Sequence, residues 1–166
     1  MKNKEIERKF LVKAAFKNQV VKQYNITQGF LSTIPERTVR VRIRGKKAFL
    51  TIKGKGNKSG TTRFEWEKEI DLSEAKDLLK LCEPTIIDKT RYIVPVNDAL
   101  FFEVDEFHKE NKGLLIAEIE LPTEGAKFDK PKWLGKEVTG INKYYNSMLS
   151  KNPFSQWENK IENSEL

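Results

Sequence analysis

The sequence predicts an α+β protein whose dominant element is an antiparallel β-sheet large enough to close into a barrel. Three observations carry this expectation. Eight segments alternate apolar and polar residues with the two-residue period of half-buried strands, most of them at hairpin spacing. Clear helical periodicity is confined to one segment. Nearly every strand candidate also has a charged face, and these faces carry both signs, almost without the Thr, Ser, Gln and Lys mixture of a plain wet surface.

In chain order the strands are expected over Glu5 to Val12, Gln28 to Ser32, Thr38 to Arg44, Ala48 to Lys53, Arg63 to Ile70, Thr90 to Val94, Leu100 to Phe107 and Leu114 to Leu121. The stretch from Gly54 to Gly60, rich in Gly and Lys, is short enough for a hairpin loop. The clear helix is Leu72 to Leu81: Asp71 or Ser73 can cap it, Leu72, Ala75, Leu78, Leu79 and Cys82 share one face, and Pro84 marks its end. A second helix is expected over Ile141 to Ser150, with weaker ones at Ala14 to Val21 and Glu124 to Phe128. These helices would pack outside the sheet, with Trp66, Trp133, Tyr92 and Phe102 between the two layers.

Strand parity tests which charges share a surface, because residues i and i+2 point the same way, roughly 6.6 Å apart. Glu5, Glu7 and Lys9 share one face; so do Arg40, Arg42 and Arg44, then Thr51 and Lys53, then Arg63, Glu65, Glu67 and Glu69. Lys89 and Arg91 follow, then Glu103 and Asp105, and Glu118 and Glu120. One such strand would be an ordinary solvent-facing ribbon. A sheet of eight tends to curl or close, and closure puts the charges inside a tunnel. Interspersed acids and bases neutralise one another there and suit a ligand that needs both. A triphosphate meets Arg and Lys donors, while paired carboxylates suit Mg²⁺ or Mn²⁺ held jointly with the phosphates.

The bulk numbers fit one domain, expected over residues 1–152, followed by a flexible tail over 153–166. There are 166 residues, 38% hydrophobic, and 31 Lys+Arg against 24 Asp+Glu, a net charge of +7 that favours an anionic partner. With one histidine, His108, and one cysteine, Cys82, neither a zinc cluster nor an internal disulfide can form, so any metal must sit on carboxylates. Cys82 reads as a small core residue and His108 as an exposed turn residue without a role. The unpaired thiol and the lack of an apolar run of signal-peptide or membrane-spanning length point to the cytoplasm and to no membrane partner.

The order of motifs resembles the triphosphate tunnel metalloenzymes, or CYTH superfamily, and within it the short bacterial inorganic triphosphatases. The signature is Glu5-Ile6-Glu7-Arg8-Lys9 near the N-terminus. It is followed by Arg40-Val41-Arg42, Leu50-Thr51-Ile52-Lys53, Arg63-Phe64-Glu65-Trp66-Glu67, Lys89-Thr90-Arg91-Tyr92, Glu103-Val104-Asp105, Glu118-Ile119-Glu120 and Gly135-Lys136-Glu137. The resemblance spans about Met1 to Leu149. It implies an eight-stranded antiparallel closed barrel with helices outside, and hydrolysis of tripolyphosphate to pyrophosphate and phosphate. It places metal on Glu5, Glu7, Glu118 and Glu120, with Asp105 a further ligand. Lys9, Arg40, Arg42, Lys53, Lys89 and Arg91 map to phosphate-gripping positions, and Arg63 joins them as a substrate-binding candidate. Glu5, Glu7, Lys9, Lys89 and Arg91 are the catalytic candidates; Glu65, Glu67 and Glu103 line the tunnel in supporting roles.

Arg37, Arg44 and Glu69 have inward parity but lie near strand ends, where rim positions are expected. Lys136 fits a tunnel mouth and a plain surface equally. Three readings compete with the first: a class IV type adenylate cyclase and a thiamine triphosphatase, which would use the same tunnel, and a non-catalytic polyphosphate or RNA binder suggested by the basic loop Lys53 to Lys58. Carboxylates sharing parity with the bases argue against nucleic acid. Pairing into a homodimer stays open.

Overall fold

The structure is a computed structural model that describes residues 3–158. Nine strands form: β1 (Lys4–Val12), β2 (Lys22–Ser32), β3 (Arg37–Arg44), β4 (Lys47–Gly54), β5 (Thr62–Ile70), β6 (Ile87–Pro95), β7 (Phe101–Phe107), β8 (Leu115–Glu120) and β9 (Leu134–Glu137). The helices are α1 (Leu72–Leu79) and α2 (Asn146–Lys151). All pairings are antiparallel, in the order β5-β4-β3-β2-β6-β7-β8-β1-β9, and β1 also pairs with β5. That last pairing closes β1 to β8 into an eight-stranded barrel. The start of β1 pairs with β5 and its end with β9, with a register shift between Phe10 and Val12, so β9 is an extra strand.

Alternation then sorts the side chains. On the outside, Phe10, Tyr92, Phe102, Val104 and Ile119 form a core with Phe16, Trp133 and Leu134; Phe102 stacks edge-on against Phe10, Phe128 and Trp133. Across the barrel, α1 lays Ala75 against Val41 and Ala48. Inward-facing residues change character along each strand. Leu11, Ile87, Phe107 and Ile116 continue the inward parity of Lys9, Lys89, Asp105 and Glu118, and pack with Leu149, Phe154 and Trp157 into an apolar plug. The plug seals one end of the tube, and the charges occupy the rest.

Several expectations change. The helices at Ala14 to Val21 and Glu124 to Phe128 do not form: the first region holds a 3-10 turn at Lys17–Gln19 and the second only a turn. Here Phe16, on Tyr92 and Trp133, and Phe128, on Phe10 and Phe102, each anchor irregular chain as one isolated apolar side chain, with no helical stripe to bury. Consequently loop segments, not helices, cover Tyr92, Phe102 and Trp133, while Trp66 stays 37% exposed. The segment Ile141 to Ser150 splits at Tyr145, whose extended backbone separates a 3-10 turn at Asn142–Tyr144 from α2. β2 begins at Lys22 and β9 appears unforeseen; both owe their pairing to backbone partners, not to alternation. Within the expected tail, Phe154 and Trp157 are buried in the plug, and residues 159–166 lie outside the described residues.

Phe102 has no exposed surface, so Phe102→Ala should cost about 3–5 kcal/mol in urea unfolding, and Trp66→Ala should stay within about 0.5 kcal/mol. Equal losses would contradict this division into core and surface.

Candidate active site

The tube holds two joined sections. The wider, about 170 Å³, is lined by charged side chains alone: Glu5, Glu7, Glu65, Glu67, Glu103, Glu118 and Glu120 with Arg40, Arg42, Arg44, Lys53 and Arg91. The narrower adds Lys9, Arg63 and Lys89, and ends on Tyr145, Asn146 and Ser147, where α2 begins. Every predicted site residue except Asp105 lies on these walls.

Strand register decides who pairs with whom. Arg91 faces Asp105 across β6 and β7, and its Nε and Nη2 donate to the two Asp105 oxygens at 2.7 and 2.8 Å. Lys89 Nζ donates to the same carboxylate at 2.7 Å, and Arg91 Nη1 reaches Glu103 at 2.9 Å. Asp105 is therefore saturated behind the wall. Burial opposes the Arg91 charge, but Asp105 and Glu103 outweigh it and hold its pKa well above the usual value. Lys89 fares differently: burial, with Arg91 adding to it, pushes it down to about 8 despite Asp105. Asn146 Oδ1 accepts from both Lys89 Nζ at 3.0 Å and Gln28 Nε2 at 2.8 Å, which ties α2 to the tunnel floor.

The acids divide as well. Glu5 accepts from Lys53 Nζ at 2.8 and 3.0 Å, with Arg63 at 3.5 Å; these cations outweigh burial and hold its carboxyl well below the usual range. Glu118, beside Lys9 at 3.6 Å, is likewise low against the pull of burial. Glu7, between them in the tunnel, is raised well above the usual range by burial and by the charges of Glu118 and Glu5. Glu120 is raised by burial, Glu5 and Glu103, and Glu65 by burial and Glu5.

The opposite wall has surplus base. Arg40 and Arg42 share Glu67, at 3.5 and 3.4 Å, and Thr51 donates to that carboxylate at 2.7 Å. The Nε of each arginine is buried without a hydrogen-bond partner. Burial, with Arg40 and Arg91 adding repulsion, pushes Arg42 down to about 9; Arg40 is lowered by burial and by Arg91. Three guanidinium groups thus crowd one buried space with donors left over, an arrangement whose electrostatics favour an anion.

For a divalent cation the donor chemistry fits, since carboxylate oxygens suit a hard ion and the Glu5–Glu7–Glu118 repulsion is what such an ion would relieve. Among the described residues, however, no three carboxylates are gathered closely enough to hold one as they stand. Glu5 is turned onto Lys53, so a cation would have to compete with that ammonium.

The CYTH domain pattern matches residues 3–153. The chain belongs to the CYTH domain family. It is 44% identical over 156 residues to an inorganic triphosphatase of Acetivibrio thermocellus, covering 93% of this chain and 98% of that one. It is 36% identical over 150 residues to an inorganic triphosphatase of Nitrosomonas europaea, covering 88% and 96%. The solved structure of the inorganic triphosphatase NE1496 superposes with a TM-score of 0.64 at 32% identity, covering 88% of this chain and 93% of that one.

In this CYTH domain some site residues were not legible from parity. Arg44 lines the wide section although its strand-end position suggested the rim. Tyr145 and Asn146 come from the break before α2; only the cations over the Tyr145 ring, Lys9 at 4.7 Å and Arg63 at 5.6 Å, reveal the former's place. Lys136 is exposed on β9, and His108 Nε2 pairs with the Thr90 hydroxyl at 2.8 Å, away from the tunnel walls. Among the described residues no helix is long and apolar enough to cross a membrane.

Because the folded chain holds the Glu7 proton more tightly than the unfolded chain does, Glu7 favours folding at acid pH and loses that contribution as pH rises through its elevated value. Glu7→Gln removes this titration. Without divalent cations the variant should melt above the wild type near pH 8, by about 2–4 °C per kcal/mol relieved, and the gap should close toward pH 4. A variant that melts lower at both pH values would refute the repulsion at Glu7.

Proposed function

We propose that this protein is an inorganic triphosphatase that hydrolyses tripolyphosphate to pyrophosphate and orthophosphate in the tunnel. The observation that carries the proposal is the pair of buried, partnerless Nε donors on Arg40 and Arg42, set beside Arg91 in a space lined by charge. Together with Lys9, Lys53, Arg63 and Lys89 they offer a polyanion donors from several directions. Among the described residues no aromatic or apolar side chain lines the wide section for adenine or a thiamine ring to stack on, which favours the inorganic substrate over ATP or thiamine triphosphate.

Water attacks the terminal phosphorus in line, the anhydride P–O bond breaks, the electron pair leaves on pyrophosphate, and a wall carboxylate takes the proton. The arginines and lysines grip the phosphate oxygens and absorb the charge that develops on the leaving group. Asp105 holds Lys89 and Arg91 in place; its saturated oxygens favour that role over the ligand role the resemblance implied. Glu5, Glu7, Glu118 and Glu120 would hold Mg²⁺ or Mn²⁺, which when bound screens the phosphates from the carboxylates and polarises their oxygens. The single unpaired cysteine supports a cytoplasmic setting.

The test is phosphate release from tripolyphosphate, ATP and thiamine triphosphate in parallel, with Mg²⁺, Mn²⁺ or EDTA. Tripolyphosphate should turn over fastest, EDTA should abolish turnover, and Arg42→Gln should lower kcat/KM by about 10²–10³. Cyclic AMP formed from ATP, or no release from any substrate by folded protein, would overturn the proposal.

A further inference from the structure

Beyond Tyr145 the hollow continues. A further cavity of about 240 Å³ lies between the β4–β5 loop and the start of α2, sharing Thr38, Arg63, Tyr145 and Ser147 with the narrow section of the tunnel. Its electrostatics differ from those of the front. Lys55, Lys58 and Arg63 line it, and no Asp or Glu does among the described residues, whereas the front section carries seven glutamates. A polyanion at the front meets carboxylates and needs cations between. The rear presents positive charge on walls that carry no carboxylate among the described residues, a setting in which an oxyanion binds unaided.

The basic loop is fixed in place. Gly60 and Gly140 have φ of +74° and +76°, and a Cβ on Gly60 would stand 2.4 Å from the Gly140 Cα, so two left-handed glycines pack this loop against the turn before α2. The Glu124 carboxylate accepts from Asn57 Nδ2 at 2.6 Å, from Thr61 Oγ1 at 3.1 Å and from the Thr62 hydroxyl, which ties the loop down from the other side. Two acids compete: Glu5, 3.5 Å from Arg63 Nε on the tunnel side, and Glu36, 3.9 Å from Lys55 Nζ with both groups exposed, a weak contact. Thr33 supplies an independent sign of a ligand: it lines the cavity, is 3% exposed, and its Oγ1 has no hydrogen-bond partner. Buried hydroxyls are rarely left so, because the lost hydration is not replaced.

We infer that this rear cavity is a second oxyanion site, which binds inorganic phosphate through Lys55, Lys58, Arg63 and the Thr33 hydroxyl without a divalent cation. The site is separate from the tunnel's acid-lined front, and its occupancy does not require that the protein hydrolyse triphosphate. It gives the basic loop, which the hydrolytic reading leaves unused, a defined ligand.

The test is calorimetric titration of orthophosphate into the full chain at low ionic strength with EDTA present. The wild type should bind, and Lys55→Ala/Lys58→Ala should weaken binding on the order of tenfold as its charge-assisted contacts are lost. Thr33→Val should also weaken binding while melting no lower than the wild type, because it removes only a partnerless hydroxyl. Lys136→Ala, on the exposed face of β9 away from this cavity, should bind as the wild type does. The inference is overturned by no binding to the wild type at millimolar phosphate, by unchanged affinity in the double lysine variant, or by an equal loss of binding in Lys136→Ala.

Discussion

Three backbone partnerships, Lys4 with Phe64, Glu5 with Arg63 and Ile6 with Thr62, turn an open sheet into a tube, and the rest of the molecule depends on that closure. In an open sheet the charged faces of β1 to β8 would look into water, where acid and base in alternation are worth little. Closed, the same side chains face one another across a narrow space at reduced effective dielectric, and each charge must find a partner or carry a desolvation cost. One strand, β1, meets this constraint in halves: its first residues close the barrel, and its last ones turn to β9 and the apolar plug.

The resulting ledger of charge is uneven by position. Asp105, with Arg91 and Lys89, forms a saturated buried cluster that serves as fixed scaffolding. Glu5 and Glu118 are satisfied by lysines. What remains is a carboxyl at Glu7 that repels its neighbours and guanidinium groups at Arg40 and Arg42 with donors to spare. A folded chain keeps such unresolved charges at some cost to its stability. Their natural resolution is a ligand that brings negative charge to the arginines and, with it, a cation to the glutamates, and this is the composition of a metal-bound polyphosphate.

Much of this was legible in the sequence because a strand's period is two and cannot drift: once Glu5, Glu7 and Lys9 are read as one face, closure puts all three inside. What parity could not show is register. Glu5 and Glu7 have the same parity and adjacent places, yet one meets Lys53 and the other meets Glu118, a difference fixed by how β1 slides against β5 and β8. Asp105 belongs to the same class of surprise, since only its pairing opposite Arg91 removes it from the wall. Tyr145 and Asn146 lie at a break between a 3-10 turn and a short helix, where no periodicity marks which side chain points inward. The irregular covers at Phe16 and Phe128 were misread as helices because isolated apolar anchors carry no period of their own.

The central claim is that Arg42 sits in the tunnel at a cost that only an anion offsets, and melting temperature with and without tripolyphosphate tests it most directly in Arg42→Met. Arg40 and Thr51 still hold Glu67 in that variant, so no charge is orphaned by the change. The account predicts that the ligand-free variant melts at or above the wild type, and that saturating tripolyphosphate with Mg²⁺ raises the wild type by an amount equivalent to about 2.7 kcal/mol at a hundredfold excess over Kd while scarcely moving the variant. A variant that melts well below the wild type without ligand, yet gains as much from tripolyphosphate, would contradict it.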